Sequence, residues 1–107
     1  MEYGDDMGLY ERFNTNGGLS MEWKTKVELA EALNDGDNQK VCDIVLNNDM
    51  DMQAWDMFIT GMDLRNYEDY RPLLGKIQEN KSEISQNLKL REVLRMNTLL
   101  VKLEENK

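Results

Sequence analysis

Apolar side chains recur at spacings of three and four residues from Trp23 to the end of the chain, with polar residues between them. This spacing places apolar side chains on one face of a helix, whereas the strict alternation typical of a β-strand is nearly absent. Pro72 is the only proline. The pattern therefore predicts an all-α fold, a small bundle of four to five helices with a long C-terminal helix.

Runs of Asn, Asp and Gly, N-cap residues and the single proline divide this pattern into separate helices. The predicted helices run from Ser20 to the turn at 34–37, over 38–47, over about 50–62 with Asp49 or Asp51 as the cap, from Pro72 to about Asn80, and over about 82–105. Proline suits the first turn of a helix because its missing N–H would have no partner there. The last helix would be about 36 Å long at 1.5 Å per residue, so it should cross the domain or project from it.

Residues 1–18 differ from the rest of the chain. They contain four of the seven glycines and little periodicity, which predicts a flexible N-terminal arm. A chain of 107 residues can bury one modest core, so we expect residues 19–107 to form a single helical domain.

The first helix is expected to turn Trp23, Val27, Ala30 and Leu33 toward the core.

Two other apolar segments each leave two interpretations open. Trp55 and Met57 belong to a methionine-rich segment that suits either a loose core or an adaptable binding surface. The last helix carries apolar residues on most sides, so it is either a central core helix or a self-association surface. In the second case the contacts would be Leu88, Leu94, Leu99 and Val101.

Acidic residues are concentrated before residue 76. Residues 1–75 have a net charge of about −10 and residues 76–107 about +2, within a total of −8. An acidic surface either only keeps a protein soluble or presents spaced negative charge to a basic groove, as the phosphates of a nucleic acid do. For the second case the candidate contacts are the acids Glu31, Asp35, Asp43, Asp51, Asp56 and Glu68, with Trp55 and Met57 as apolar anchors.

Residues suited to catalysis are scarce. The chain has no histidine, and its only cysteine, Cys42, lies among apolar neighbours where a thiol usually packs rather than reacts. The Asp-rich segments lack the glycine and glutamate of a calcium loop, and no glycine-rich phosphate loop is present. We expect no catalytic residue, no metal site and no cofactor.

These patterns favour a non-enzymatic inhibitor or regulator of the type found in phages and mobile elements. It would dock on the basic surface of a larger nucleic-acid-handling protein, for example by nucleic-acid mimicry, without binding nucleic acid or a membrane itself. The alternative is a structural or assembly subunit, for instance a homodimer formed through the last helix. An enzyme that uses carboxylates alone is the least favoured hypothesis. A single cysteine and no recognisable leader segment favour the cytoplasm.

Overall fold

The computed structural model describes residues 21–105, which form helices and short connections without a strand. The elements are α1 (Trp23–Asp35), α2 (Asn38–Asn47), α3 (Met52–Gly61), a 3-10 segment (Leu64–Leu73), α4 (Leu74–Asn87) and α5 (Leu90–Glu105). The predicted all-α bundle is confirmed. The predicted arm over 1–18 lies outside the described residues, and the single domain over 19–107 stays a prediction.

The turn between α1 and α2 follows from its residues. Gly36 adopts a left-handed φ of 73°, which glycine alone reaches without steric cost, and its N–H bonds to carbonyls at the end of α1. Asp37 then caps α2 by accepting a hydrogen bond from the Lys40 N–H at 3.2 Å. The predicted end of α1 and the predicted bounds of α2 are both confirmed.

Aspartates also begin the next two elements. Asp51, rather than Asp49, caps α3, where it accepts the Ala54 N–H at 2.8 Å. Asp63 caps the 3-10 segment by accepting the Arg65 N–H at 3.0 Å. Pro72 lies inside this segment, and α4 begins two residues later than predicted.

The predicted bounds of the last helix, 82–105, are wrong because the helix is interrupted between α4 and α5. Helix α4 continues through Ser82 to Asn87, and Leu88 is extended at φ −103° and ψ 167°. The Lys89 N–H donates to Glu92 Oε1 at 3.1 Å, which satisfies one backbone donor at the start of α5. Gln78 of α4 donates to Glu104 of α5, so the final helix folds back along α4 instead of projecting.

Helix α3 lies at the centre of the core, in contact with α1, α4 and α5. Its Trp55 and Phe58 rings meet edge to face with centroids 6.2 Å apart, and Phe58 meets Tyr70 in the same way at 5.5 Å. All three rings are fully buried, and α5, which packs against α3 and the 3-10 segment, adds Met96 and Leu99 to the same core.

Trp55 follows the core interpretation and not the partner-binding one, whereas Trp23 does not take the core position predicted for it. Trp55 is buried because α3 is surrounded, so it cannot anchor a partner on the surface. Trp23 is 59% exposed, and Val27 and Ala30 are exposed with it. Helix α1 instead buries a face that holds Lys26, Leu29 and Ala32, which corrects the predicted orientation of this helix.

Candidate protein-binding surfaces

The acids predicted to contact a partner fall into two groups. The first group is exposed and includes Glu31, Asp35, Asp43 and Glu68. Asp51 and Asp56 are half-buried and are engaged within the protein. The predicted negative surface is therefore available at only part of the positions assigned to it.

Asp51 has a structural role, because both of its carboxylate oxygens have partners within the protein. One of its oxygens caps α3, and the other lies 2.7 Å from the Lys26 Nζ of α1. Lys26 is buried and also donates to Gln53 Oε1 at 2.7 Å. A carboxylate with two internal partners gains little from a third one on another protein, so we remove Asp51 from the partner-binding set.

Several exposed acids are brought together around Asn38, at the start of α2. Asn38 Nδ2 donates to Asp69 Oδ2 at 3.0 Å, and the buried Tyr70 hydroxyl donates to Asn38 Oδ1 at 2.8 Å. That hydroxyl also accepts the Asp63 N–H at 3.0 Å. These bonds tie the α1–α2 turn to the 3-10 segment. We call the resulting surface the acidic end, formed by Asp37, Asp43, Asp63 and Asp69.

The pKa of the Cys42 thiol is affected by the negative charge of the acidic end. Its Sγ lies 3.2 Å from the Asp69 carbonyl oxygen. Burial, followed by the negative charges of Asp43 and Asp69, raises the pKa of the Cys42 thiol to about 11. The thiol is therefore neutral at physiological pH and a poor nucleophile, as the sequence indicated.

An open groove of about 610 Å³ lies between α1 and α3. Its lining is mixed, with the apolar residues Ala30, Leu33 and Met57 beside polar ones that include Asp56 of α3. The lining residues are Ala30, Leu33 and Asn34 from α1 and Gln53, Asp56, Met57, Thr60 and Gly61 from α3. The helices approach closely at one end, where a Cβ added to Gly61 would lie 3.3 Å from Leu33 Cδ1. We call this feature the α1–α3 groove.

The exposed apolar stripe of α1 leads into the α1–α3 groove. Trp23, Val27, Ala30 and Asn34 follow each other at spacings of four, three and four, which places them within about 60° on the helix. All four are exposed, and the last two line the groove. Trp23 is thus exposed in the way that was predicted for Trp55 as an apolar anchor.

A carboxyl pair lies beside the groove and joins α3 to α5. The hydroxyl oxygen of Thr60 lies 2.9 Å from Glu92 Oε2 and 3.2 Å from Asp56 Oδ1, so its proton serves one acid at a time. A hydrogen bond between the two carboxyls raises the pKa of Asp56 and lowers the pKa of Glu92. This pair was missed because Asp56 and Glu92 are far apart in the sequence.

Helix α5 has a second apolar face that points away from the core. Leu90, Leu94 and Val101 are 73%, 55% and 52% exposed. Of the predicted self-association residues, Leu94 and Val101 are therefore on the surface and Leu88 is half-buried. Leu99 is fully buried because it faces the core, which corrects its assignment.

Within residues 21–105, His, Cys, Asp and Glu side chains nowhere gather in a group of three that could hold a metal ion. The same part of the chain contains no helix with the length and apolar character needed to cross a membrane.

No family model matches the chain, and neither a curated protein nor a solved structure is detectably similar to it. Two surfaces of the described residues remain as candidates for binding a partner, the α1–α3 groove and the outward face of α5.

Proposed function

We propose that the protein is a non-enzymatic inhibitor or regulator that binds a basic amphipathic segment of a larger, nucleic-acid-handling protein in its α1–α3 groove. The observation that carries the proposal is an open groove lined by apolar and polar residues, with an exposed tryptophan at its approach and carboxylates beside it. We place the protein in the cytoplasm, where a lone buried cysteine stays reduced.

Apolar contacts would provide most of the binding free energy. Exposed apolar stripes beside a groove are common sites for an amphipathic helix, which inserts side chains spaced three and four residues apart. Trp23 is a tryptophan, one of the residue types that most often contribute a large share of the binding free energy at such interfaces. Met57 in the opposite wall is half-buried and flexible, so it can adapt to the inserted side chains.

Charge would select a basic partner. Glu31 flanks the α1 stripe at about 70° from its centre, and Asp56 stands in the other wall, so carboxylates lie on both sides. Asp43 belongs to the acidic end, and the exposed Asp35 and Glu68 lie next to its Asp37 and Asp69 in the sequence. All three add to the long-range field. Such a field accelerates association with a positive surface and weakens as salt is added.

A groove-blocking variant tests the proposal. Affinity purification from the native host would compare the wild type with Ala30→Arg, which fills the groove, and with Gln39→Arg, which adds the same charge on the exposed side of α2. We expect one basic protein to be retained by the wild type and Gln39→Arg and lost by Ala30→Arg. Retention by all three, or an affinity that does not change between about 50 and 500 mM salt, would contradict the proposal.

A second candidate function is a structural or assembly subunit that associates through α5. The exposure of Leu90, Leu94 and Val101 favours it, because contiguous apolar faces on a small protein usually mark an interface. The measurement is the molar mass by light scattering at rising protein concentration. A monomer at several hundred micromolar would remove this candidate.

A further inference from the structure

Helix α5 has apolar residues on two opposite faces. Leu90, Leu94, Asn97 and Val101 form its outer face, at spacings of four, three and four that place them within about 60° of one another. This spacing is that of a coiled-coil seam. The opposite side holds Met96, Leu99 and Leu103, which are buried in the core. The outer face is therefore a second apolar seam that the described residues leave exposed.

The charges at the two ends of α5 have an unusual order. Lys89 and Arg91 lie at its start, and Glu104 and Glu105 lie at its end. The helix dipole favours the reverse, acids at the start and bases at the end. Glu92 in the first turn and Lys102 in the last turn follow the order that the dipole favours, but the other four charges oppose the stability of the helix itself. Their order is favourable when a second helix of the same sequence lies alongside in the opposite direction.

We propose that α5 pairs in an antiparallel arrangement with α5 of a second copy of the chain, about a two-fold axis close to Asn97 and Thr98. In this register Leu94 of each copy meets Val101 of the other, and Arg91 lies opposite Glu105 on the same side of the seam. A parallel pair would instead place the basic ends together and the acidic ends together, which is unfavourable. This inference rests on the second candidate function and adds its geometry and stoichiometry.

The size of the outer face limits the strength of the pair. Three aliphatic side chains and their rim are smaller than the roughly 800 Å² per partner of a standard stable interface. We therefore expect a dissociation constant on the order of 10–100 µM, which corresponds to a weak, reversible dimer. The contact is the same patch on both copies, so association stops at two. The α1–α3 groove lies on other helices, which gives the dimer two grooves.

Charge reversal tests the register. Sedimentation equilibrium at about 10–500 µM would compare the wild type with Arg91→Glu, Glu105→Arg and the double variant. Each single reversal turns two attractive pairs into repulsive ones by symmetry, so we expect about fivefold weaker dimers or worse. The double variant restores opposite charges and should return to within about twofold of the wild type. Leu94→Asp should be monomeric throughout.

The outcomes separate two failures. A wild type that stays monomeric at 500 µM would overturn both the antiparallel pair and the second candidate function. A wild-type dimer that Arg91→Glu leaves unchanged would overturn only the antiparallel register. Circular dichroism of every variant identifies any that fail to fold, and the double variant carries both substitutions, so its recovery excludes simple misfolding.

Cross-linking provides an independent readout of direction. An Asn97→Cys variant should form an intermolecular disulfide under mild oxidation because residue 97 lies beside the two-fold axis. A Leu90→Cys variant should not, since the two copies of residue 90 would be about 20 Å apart in the antiparallel pair. Dimer formation by each variant is first measured under reducing conditions. Disulfide formation by both would indicate a parallel pair and contradict the proposal. Cys42 is buried and does not compete.

Discussion

The Lys26 ammonium lies 2.7 Å from the Asp51 carboxylate, and this ion pair joins the first turn of α1 to the N-cap of α3. The same carboxylate caps α3 through the Ala54 N–H. One acidic residue therefore fixes the start of a central helix and its position against a neighbour. An acid that the sequence indicates as surface charge thus has a structural role.

Two substitutions at Asp51 should separate these contributions. Asp51→Asn keeps a side-chain oxygen for the cap but loses the ion pair, and we expect it to cost about 1 kcal/mol. Asp51→Ala removes both and should cost about 2–3 kcal/mol, because Lys26 is also left without its charged partner. Urea unfolding measures both values. Equal losses in the two variants would show that the cap contributes nothing.

Two glycines should respond to alanine in opposite directions. Gly36→Ala forces a Cβ into a left-handed φ and should destabilise the protein by about 1 kcal/mol. Gly75 lies in the first turn of α4 with open space around it, so Gly75→Ala should stabilise by about 0.5 kcal/mol through helix propensity. The thermal unfolding midpoint reports both, and a shift of the same sign in each would contradict this account.

The protein should lose stability at alkaline pH. Burial raises the pKa of Cys42 to about 11 and also raises the pKa of Tyr70. The unfolded chain therefore releases these protons first, so their contribution is complete below about pH 9 and is lost as the pH rises toward 11. Urea unfolding at pH 8 and pH 10.5 measures the fall. Cys42→Ala should show a smaller fall than the wild type, and an identical pH dependence would refute the role of Cys42.

Asp56→Asn should stabilise the protein at pH 7. The hydrogen bond to Glu92 raises the pKa of Asp56, so the folded state prefers this carboxyl protonated and loses that stabilisation as the pH rises. An amide imitates the protonated form, and we expect a small gain that shrinks in acid. Asp49→Asn removes the same charge from an exposed site and serves as the control. A gain of the same size in both variants would assign the effect to net charge alone.

Local signals predicted the parts of the fold that depend on neighbouring residues. The turn at Gly36 and the bounds of α2 follow from turn and capping residues that act within a few positions of the chain. The break at Leu88 was missed because no glycine or proline marks it and lysine is not a typical N-cap residue. Its one local signal is Glu92, three positions after Lys89, which resembles half of a capping box.

The surfaces depend on how helices pack, and periodicity alone does not determine this. The stripe that begins with Trp23 has the spacing of a core face, yet α1 buries the face of Leu29 and Ala32. The Asp56–Glu92 pair joins residues of two helices whose contact nothing in the sequence specifies. The exposure of Leu94 and Val101 and the burial of Leu99 likewise depend on which face of α5 packs against α3.

The position of α5 has a consequence for biosynthesis. The ribosome makes this helix after every other described element, and its Met96, Leu99 and Leu103 complete the core around α3. Until these side chains emerge, the nascent chain carries an apolar surface that chaperones bind and that promotes aggregation. A newly made molecule can therefore complete its core only once residues 90–105 have emerged from the ribosome.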